Sequence, residues 1–85
     1  MKHQREKVCE RVYLTFPKEL LREPIVCLMA KKFDIFFTIG GSTITAEMGL
    51  VALEIDGERE EVARALHWLR EKGVIVEPIE KNVIE

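Results

Sequence analysis

The chain has 85 residues, of which 47% are hydrophobic and 33% charged, and its formal net charge is −2. This length forms one domain with a single core, and this apolar content excludes a disordered chain. The small net charge excludes a general attraction to nucleic acid or anionic membranes, and no apolar run approaches the roughly 20 residues of a membrane-spanning helix. We therefore expect a soluble, cytoplasmic protein that neither binds nucleic acid nor inserts into a membrane.

The N-terminal part predicts a polar leader followed by a half-buried strand. Residues 1–7 are mostly polar and are expected to form a flexible leader ahead of a folded domain over residues 8–79. From Val8 to Phe16 apolar and polar residues alternate, the pattern of a strand with one face in the core. Pro17 ends this strand because proline cannot donate to a β-ladder. The core-facing residues are predicted to be Val12, Leu14 and Phe16.

The next segment predicts a helix. Residues 18–23 form a turn or a short helical segment, and Pro24 then takes the first-turn position, where its missing N–H does no harm. Lys31 and Lys32 lie near the end of the segment and suit the helix dipole. The apolar residues that recur at helical spacing are Ile25, Leu28, Met29 and Phe33.

The apolar stretch Phe33–Thr43 predicts the strand around which the other elements are arranged. A strand this hydrophobic needs a helix layer on one face and cover on the other. Phe36 and Thr38 are expected on one face, and Gly40-Gly41 are expected to mark a bulge or a close backbone approach. The residues expected on the opposite face are Ile35, Phe37 and Ile39.

A hairpin is predicted after this strand. Residues 43–49 form its turn region, and Leu50–Ile55 returns as a strand with apolar residues on both faces. Asp56-Gly57 is a dipeptide typical of turns, and we expect the chain to change direction there.

The last part of the chain predicts a helix and a strand. Glu58–Lys72 has acidic residues in its first turn and basic residues in its last, as the helix dipole favours, and Gly73 is the expected stop. Val74–Pro78 forms the last strand, and residues 80–85 form a polar tail. The apolar stripe of the helix comprises Val62, Ala65, Leu66 and Leu69, flanked by Trp68.

These elements follow the order βαββαβ. Short connections and right-handed crossovers lead to a ferredoxin-like α+β fold, a four-stranded antiparallel sheet with two helices on one face. The other face then carries apolar residues among polar ones, which favours a homodimer or higher oligomer; scattered surface hydrophobes are the alternative. The dimer-interface candidates are Tyr13, Phe36, Leu50 and Ala52.

Candidate catalytic and metal-binding residues are few. Cys9 and Cys27 are too far apart for metal-site spacing and are expected to be buried or half-buried thiols, with a disulfide as the less favoured alternative. His67 is expected to be a solvated helix residue, and Gly40-Gly41 precede a hairpin, whereas a phosphate loop leads into a helix. We therefore predict no enzymatic activity, no cofactor and no metal.

An ordered set of short motifs runs through the chain. It comprises Leu14 and Phe16 in the first strand, Pro24-Ile25 at the helix start, Phe33 before the second strand, Asp56-Gly57, and 65–69 followed by Gly73-Val74. With this set the chain resembles the NIL domain family over roughly residues 11–79. In that family the domain is the C-terminal regulatory domain of the ATP-binding subunit of bacterial methionine importers.

The resemblance implies a function and a site. In the importers the domain is dimeric and binds methionine, which inhibits transport, so the resemblance implies a dimeric sensor of a sulfur amino acid. The triplet that names the family, Asn-Ile-Leu, corresponds here to Thr38-Ile39-Gly40. Threonine keeps a hydroxyl but lacks the carboxamide that both donates and accepts. The ligand-binding candidates are Phe36, Thr38, Ile39 and Gly40.

A second branch of the family is also similar to this chain. Short free-standing NIL proteins, often joined to an iron–sulfur ferredoxin module, share two motifs with this chain: Thr15-Phe16-Pro17 near its start and Glu77-Pro78-Ile79-Glu80 near its end. These proteins are linked with sulfur assimilation. This similarity implies an alternative: an interaction module without a small-molecule ligand, which partners a sulfur-metabolism enzyme or a separate ferredoxin. The chain has no CxxC motif and is therefore expected to bind no cluster.

Overall fold

The predicted βαββαβ order is confirmed. A computed structural model describes residues 6–79, so the predicted tail and residues 1–5 of the predicted leader lie outside the described residues. The strands form one antiparallel sheet in the order β2-β3-β1-β4, as a ferredoxin-like α+β fold requires. The elements are β1 (Lys7–Pro17), a 3-10 turn (Lys18–Leu20), α1 (Ile25–Lys32), β2 (Phe36–Ile44), β3 (Met48–Glu58), α2 (Arg59–Glu71) and β4 (Ile75–Pro78).

The two central strands, β1 and β3, are paired along their whole length, from Lys7 opposite Glu58 to Pro17 opposite Met48. The predicted turn at Asp56-Gly57 is therefore wrong, because both residues lie within β3, where the ladder with β1 continues. A side-chain Cβ at Gly57 would lie 3.2 Å from Ile35 Cγ2 and 3.4 Å from Val62 Cγ2. The glycine thus allows α2 to pack closely on the end of the sheet.

The start of β1 is tied to the start of α2. Glu6 accepts hydrogen bonds from the Arg59 guanidinium through both carboxylate oxygens, at 3.1 and 3.2 Å. The backbone carbonyl of Glu6 also accepts from the Arg59 N–H at 2.8 Å. Glu6 and Lys7, which the sequence assigned to the leader, are thus bonded to the folded domain.

The apolar stretch Phe33–Thr43 provides an edge strand. Among the described residues β2 pairs only with β3, and a register shift between Ile39 and Gly41 confirms the predicted bulge. Phe37 is half-buried, and the other side chains of β2 are exposed. Within residues 6–79 the helices cover β2 only in part and no element lies over its opposite face, so the expected cover on that face stays a prediction.

The core lies between the sheet and the two helices. On β1 and β3 alternate residues are buried, as the sequence pattern predicted. Phe33 and Trp68 pack edge to face beside this core, with ring centroids 6.0 Å apart. The largest fully buried side chains are Leu14, Met29, Ile55, Leu69, Val12 and Val62.

Helix α1 is shorter and more exposed than its pattern predicted. Pro24 occupies the N-cap position, one residue before the predicted first turn. Ile25 and Met29 are buried, four residues apart on one helix face, but Leu28 is 41% exposed. The prediction that Leu28 belongs to the core stripe is wrong, because an eight-residue helix places only this narrow face on the sheet.

Helix α2 ends where the sequence predicted. Gly73 has a φ of 102°, a conformation that glycine adopts without strain. The Gly73 N–H donates to the Arg70 carbonyl and the Val74 N–H to the Leu69 carbonyl, both at 3.0 Å, which closes the helix in a Schellman motif. Over residues 6–79, no helix has the length and apolar character needed to cross a bilayer.

Candidate functional site

The side of the sheet opposite the helices, which we call the open face, carries the candidate site. The strand register sets its side chains in rows that run across the sheet, because directly opposed residues of antiparallel strands share a face. As predicted, this face mixes apolar and polar groups. Its apolar members are Tyr13, Phe36, Leu50, Ala52 and Ile75, and its polar members include Arg11, Thr15, Thr38, Glu54 and Glu77.

The large apolar side chains of the open face are well exposed. Phe36 is 77% exposed, Ile75 52%, Tyr13 45% and Leu50 41%. Leu50, Ile75 and Tyr13 are neighbours around Thr15. Leu50 on β3 and Ile75 on β4 both lie opposite Thr15, and Tyr13 lies two residues before Thr15 on the same face of β1. These side chains form an apolar patch beside one polar row.

The polar row crosses the three strands β1, β3 and β2. Arg11 is opposite Glu54, and Glu54 is opposite Thr38. The Arg11 Nε–H donates to Glu54 Oε2 at 3.0 Å. A shallow cleft of about 310 Å³ lies over this row; its lining includes all three side chains together with Gly40, Ala52 and Ile79.

The structure brings together two of the four predicted ligand-binding residues. Thr38 and Gly40 line this cleft. Phe36 lies on the same face in the neighbouring row, opposite Asp56, and borders a second cleft of about 370 Å³. Ile39 is opposite the core residue Leu53, so it belongs to the helix-covered face, although its side chain is 53% exposed at the sheet edge.

The sequence-based site omitted Arg11, Glu54 and Ile79. Each lies far in sequence from the second strand, and periodicity assigns Arg11 and Glu54 only to a face. Their position beside Thr38 follows from the register of β1 on β3 and of β3 on β2. The N–H of Ile79 donates to the Arg11 carbonyl at 2.9 Å, which brings the end of the fourth strand to the same row.

The two cysteines are exposed and free, so the prediction of buried or half-buried thiols is wrong. Cys9 lies opposite Asp56 on the open face of β1, where β4 does not reach. A hydrogen bond to Asp56, partial burial and the nearby Glu54 raise the pKa of the Cys9 thiol to about 11. The thiol is therefore protonated near neutral pH, which makes it a poor nucleophile.

The titratable residues of α2 pair along the helix, and one of them also contacts the segment before β2. Glu61 accepts a hydrogen bond from the Asp34 N–H at 2.9 Å and pairs with Arg64. These two contacts lower the pKa of the Glu61 carboxyl. His67 is exposed, as predicted, with its Nε2 at 3.2 Å from Glu71 one helical turn later.

The helix-covered side has a separate apolar cleft of about 220 Å³. It lies between the start of α1 and the end of the β2–β3 hairpin, and its lining includes Leu21, Ile44 and Gly49. A Cβ at Gly49 would lie 3.1 Å from Leu21 Cδ2, so this glycine keeps the cleft open. The cleft contains none of the predicted ligand-binding residues.

The profile of the NIL domain family matches residues 10–78. The match covers most of the chain and agrees with the span over which the motifs pointed to that family. The chain belongs to the NIL domain family.

Its curated relatives include methionine import ATP-binding proteins. One from Bacillus cereus is 33% identical over 76 residues, which are 85% of this chain and 22% of that protein. One from Listeria monocytogenes serotype 4b is 30% identical over 73 residues, which are 81% of this chain and 22% of that protein. The chain thus spans about a fifth of the length of these relatives.

A solved structure has the same fold. It is the C-terminal domain of an ABC transporter ATP-binding protein from Enterococcus faecalis, with a TM-score of 0.76 and 22% sequence identity over 86% of each chain. At this identity the similarity concerns the fold alone, and it agrees with the ferredoxin-like topology described above.

Proposed function

We propose that this NIL domain is a regulatory module that forms a homodimer through its open face and binds a sulfur amino acid, such as methionine, beside the dimer interface. The observation that carries the proposal is the apolar patch on the sheet face that neither α1 nor α2 covers. Its relatives include methionine import ATP-binding proteins, which supports the choice of ligand.

The composition of the open face supports a dimer. Exposed apolar patches of this kind more often mark surfaces that bind a partner than surfaces that remain in contact with water. Tyr13, Leu50 and Ala52 lie on the two central strands, and Phe36 lies on the same face across the polar row from them, opposite Asp56. A two-fold axis through this face would bury each apolar group against the same surface of the second copy.

The charges of the open face also suit a second copy. Arg11 and Glu54 lie side by side in the polar row and compensate each other's charge at 3.0 Å, so a second copy meets no net charge there. An excess of one charge would repel an identical copy and oppose association. The balanced charge therefore favours a homodimer over a partner of one strong charge.

The ligand would lie against Thr38 and Gly40, with Phe36 and Ile39 at the border of the site. The bulge at Gly40 leaves backbone without a side chain next to the Thr38 hydroxyl, which can donate and accept hydrogen bonds. Because β2 is an edge strand, Ile39 can contact a ligand at the sheet edge although it belongs to the other face. A second copy would close the shallow cleft and exclude water from it.

Sedimentation equilibrium tests the dimer. We expect the wild-type chain to be dimeric, and Tyr13→Glu and Leu50→Glu to be monomeric, because each places a charge in the apolar interface. Leu28→Glu is the matched control, since Leu28 is also 41% exposed but lies on α1. A monomeric wild type at high concentration, or a dimer that survives Leu50→Glu, would contradict the interface.

Calorimetric titration tests the ligand. We expect binding of methionine, homocysteine or cysteine, and tighter binding of methionine by Thr38→Asn, because the carboxamide adds a donor and an acceptor. Thr43→Asn, on the same face of β2 but opposite Leu50, is the matched control and should leave the affinity unchanged. No heat and no melting shift at millimolar ligand would end the sensing proposal.

The free edge of β2 supports the second candidate, an interaction module for a sulfur-metabolism enzyme or a ferredoxin. An open strand edge can accept an added strand from a partner, and Ile39 and Ile44 are 53% and 66% exposed along it. Titration with a purified ferredoxin tests this candidate. Binding that Ile39→Lys abolishes, in a protein that binds no amino acid, would favour it over the sensor.

We also propose a cytoplasmic location and a role without catalysis by this chain. The supporting observation is its relation to the ATP-binding proteins of importers, of which it matches about a fifth. A sulfur amino acid that changes the dimer without being converted would agree with this role. Mass spectrometry of the ligand after incubation checks it, since any new product would contradict a non-catalytic module.

A further inference from the structure

The cleft over the polar row contains a cation and an anion side by side, and no ligand-binding role follows for either from the sequence. The two charged groups are Arg11 on β1 and Glu54 on β3, joined at 3.0 Å. Their side chains are 56% and 36% exposed, so both are within reach of a molecule in the cleft. The cleft volume of about 310 Å³ is at the small end of ligand sites, which suits a single amino acid.

The ion pair has binding capacity beyond its mutual contact. Among the hydrogen bonds of the described residues, Arg11 uses only its Nε–H, towards Glu54 Oε2. The terminal N–H groups of the guanidinium form a planar fork that matches a carboxylate. Glu54, for its part, can accept from an ammonium through the remaining lone pairs of its two oxygens.

The surroundings of the pair match the rest of an amino acid. Thr38 lies opposite Glu54 and offers a hydroxyl to the head group. Ala52 lies in the next row, opposite Gly41, and the bulge residue Gly40 adjoins it. Both Ala52 and Gly40 line the cleft with little side-chain bulk, so an unbranched apolar side chain can lie across them. Ile79 adds an apolar wall at the other end of the row.

We propose that the Arg11–Glu54 pair recognises the zwitterionic head group of a free α-amino acid. Arg11 binds the α-carboxylate and Glu54 binds the α-ammonium, while the ligand's side chain lies over Gly40 and Ala52. This inference rests on the proposed sensing function, and it names the ligand class as free amino acids with both charged groups unblocked.

A purely structural role for the pair gives a different expectation. An exposed cross-strand ion pair contributes little to stability, so the fold does not depend on it. Rearranging the ion pair when a ligand binds therefore costs little free energy. A structural pair would change stability slightly when broken and would leave ligand affinity untouched.

Calorimetry with blocked ligands tests the proposal. L-Methionine should bind the wild type, and Arg11→Gln and Glu54→Gln should each weaken binding at least about tenfold, because each removes a charge-assisted contact. N-acetyl-L-methionine lacks the ammonium and should be insensitive to Glu54→Gln, and L-methioninamide lacks the carboxylate and should be insensitive to Arg11→Gln. Arg22→Gln, an exposed arginine before α1, is the control and should bind like the wild type.

A charge-swap variant controls for effects on the stability of the fold. The double variant Arg11→Glu, Glu54→Arg retains an opposite-charge pair in the same register but reverses its direction. We expect it to melt like the wild type and to bind L-methionine at least about tenfold more weakly, because the side-chain position fixes the head-group orientation. Wild-type affinity in this variant would overturn the assignment of the two charges.

The outcomes separate this inference from the proposed function. Methionine binding that Arg11→Gln and Glu54→Gln leave unchanged would overturn the head-group assignment and keep the sensor. Binding of leucine or norleucine but of no sulfur amino acid, lost in both variants, would keep the head-group assignment and overturn the sulfur specificity. Failure of every free α-amino acid to bind the wild type would overturn both.

Discussion

The two faces of the sheet differ in what lies above them, although the same strands supply both. On β3, Leu53 points into the core and is 2% exposed, whereas Leu50 lies on the open face and is 41% exposed. On β1, Leu14 is fully buried while Tyr13, the next residue before it, is 45% exposed. The helix-covered face therefore carries the stability of the fold, and the open face is available for recognition.

Paired leucine substitutions on β3 test this division and should give the largest effect. Leu53→Ala should lower the free energy of unfolding by about 3 kcal/mol, because it leaves a cavity in the core. Leu50→Ala should lower it by roughly 1 kcal/mol or less at concentrations where the chain is monomeric. Urea denaturation measures both values, and equal losses would contradict the division between the faces.

Paired glycine substitutions should give the next largest effect. Gly57→Val should lower the free energy of unfolding by roughly 2 kcal/mol, because its side chain would press on Ile35 and Val62. Gly41→Val should change it by no more than about 0.5 kcal/mol, since nothing lies within 4 Å of a Cβ there. Neither glycine has a positive φ, so the comparison isolates packing. Thermal melts check it, and a well-tolerated Gly57→Val would show that the start of α2 is loosely packed.

The reactivity of Cys9 tests the acidic side of the open face. In a Cys27→Ala background, alkylation by iodoacetamide should be slow near neutral pH and should follow a thiol pKa of about 11. Asp56→Asn should accelerate it several-fold near pH 8, because the largest cause of the raised pKa is removed. Glu47→Gln, in the hairpin, is the control and should leave the rate unchanged. Protection of Cys9 that grows with protein concentration would support burial of this face in the dimer.

The contact between Glu61 and Asp34 should give the smallest effect. The folded-state pKa of Glu61 is lowered from 4.5, so its contribution to stability is present above that pH and is lost as the pH falls through the folded value. Glu61→Gln should therefore lower the Tm by a few degrees at about pH 7 and by less at acidic pH, once the pH falls through the folded-state pKa of Glu61. Glu60→Gln, an exposed residue in the same helical turn, is the control. Equal Tm changes at neutral and acidic pH would contradict this role.

The secondary-structure elements and their order follow from local patterns in the amino-acid sequence. Period-two alternation identified β1 and its buried residues, the apolar stripe identified α2, and Gly73 marked its end, because these signals depend on neighbours within a few residues. The same alternation assigned Tyr13 and Leu50 to the open face. The fold class followed from the order of the elements and the handedness of their connections.

The pairing of the strands depends on contacts between residues that are distant in the sequence. Asp56-Gly57 has the composition of a turn, but β1 begins early enough to pair with both residues, and this partner overrides the local preference. The exposure of β2 follows from its place at the sheet edge. Arg11, Glu54 and Thr38 form a row only through two strand registers, which join residues far apart in sequence and which no local pattern specifies.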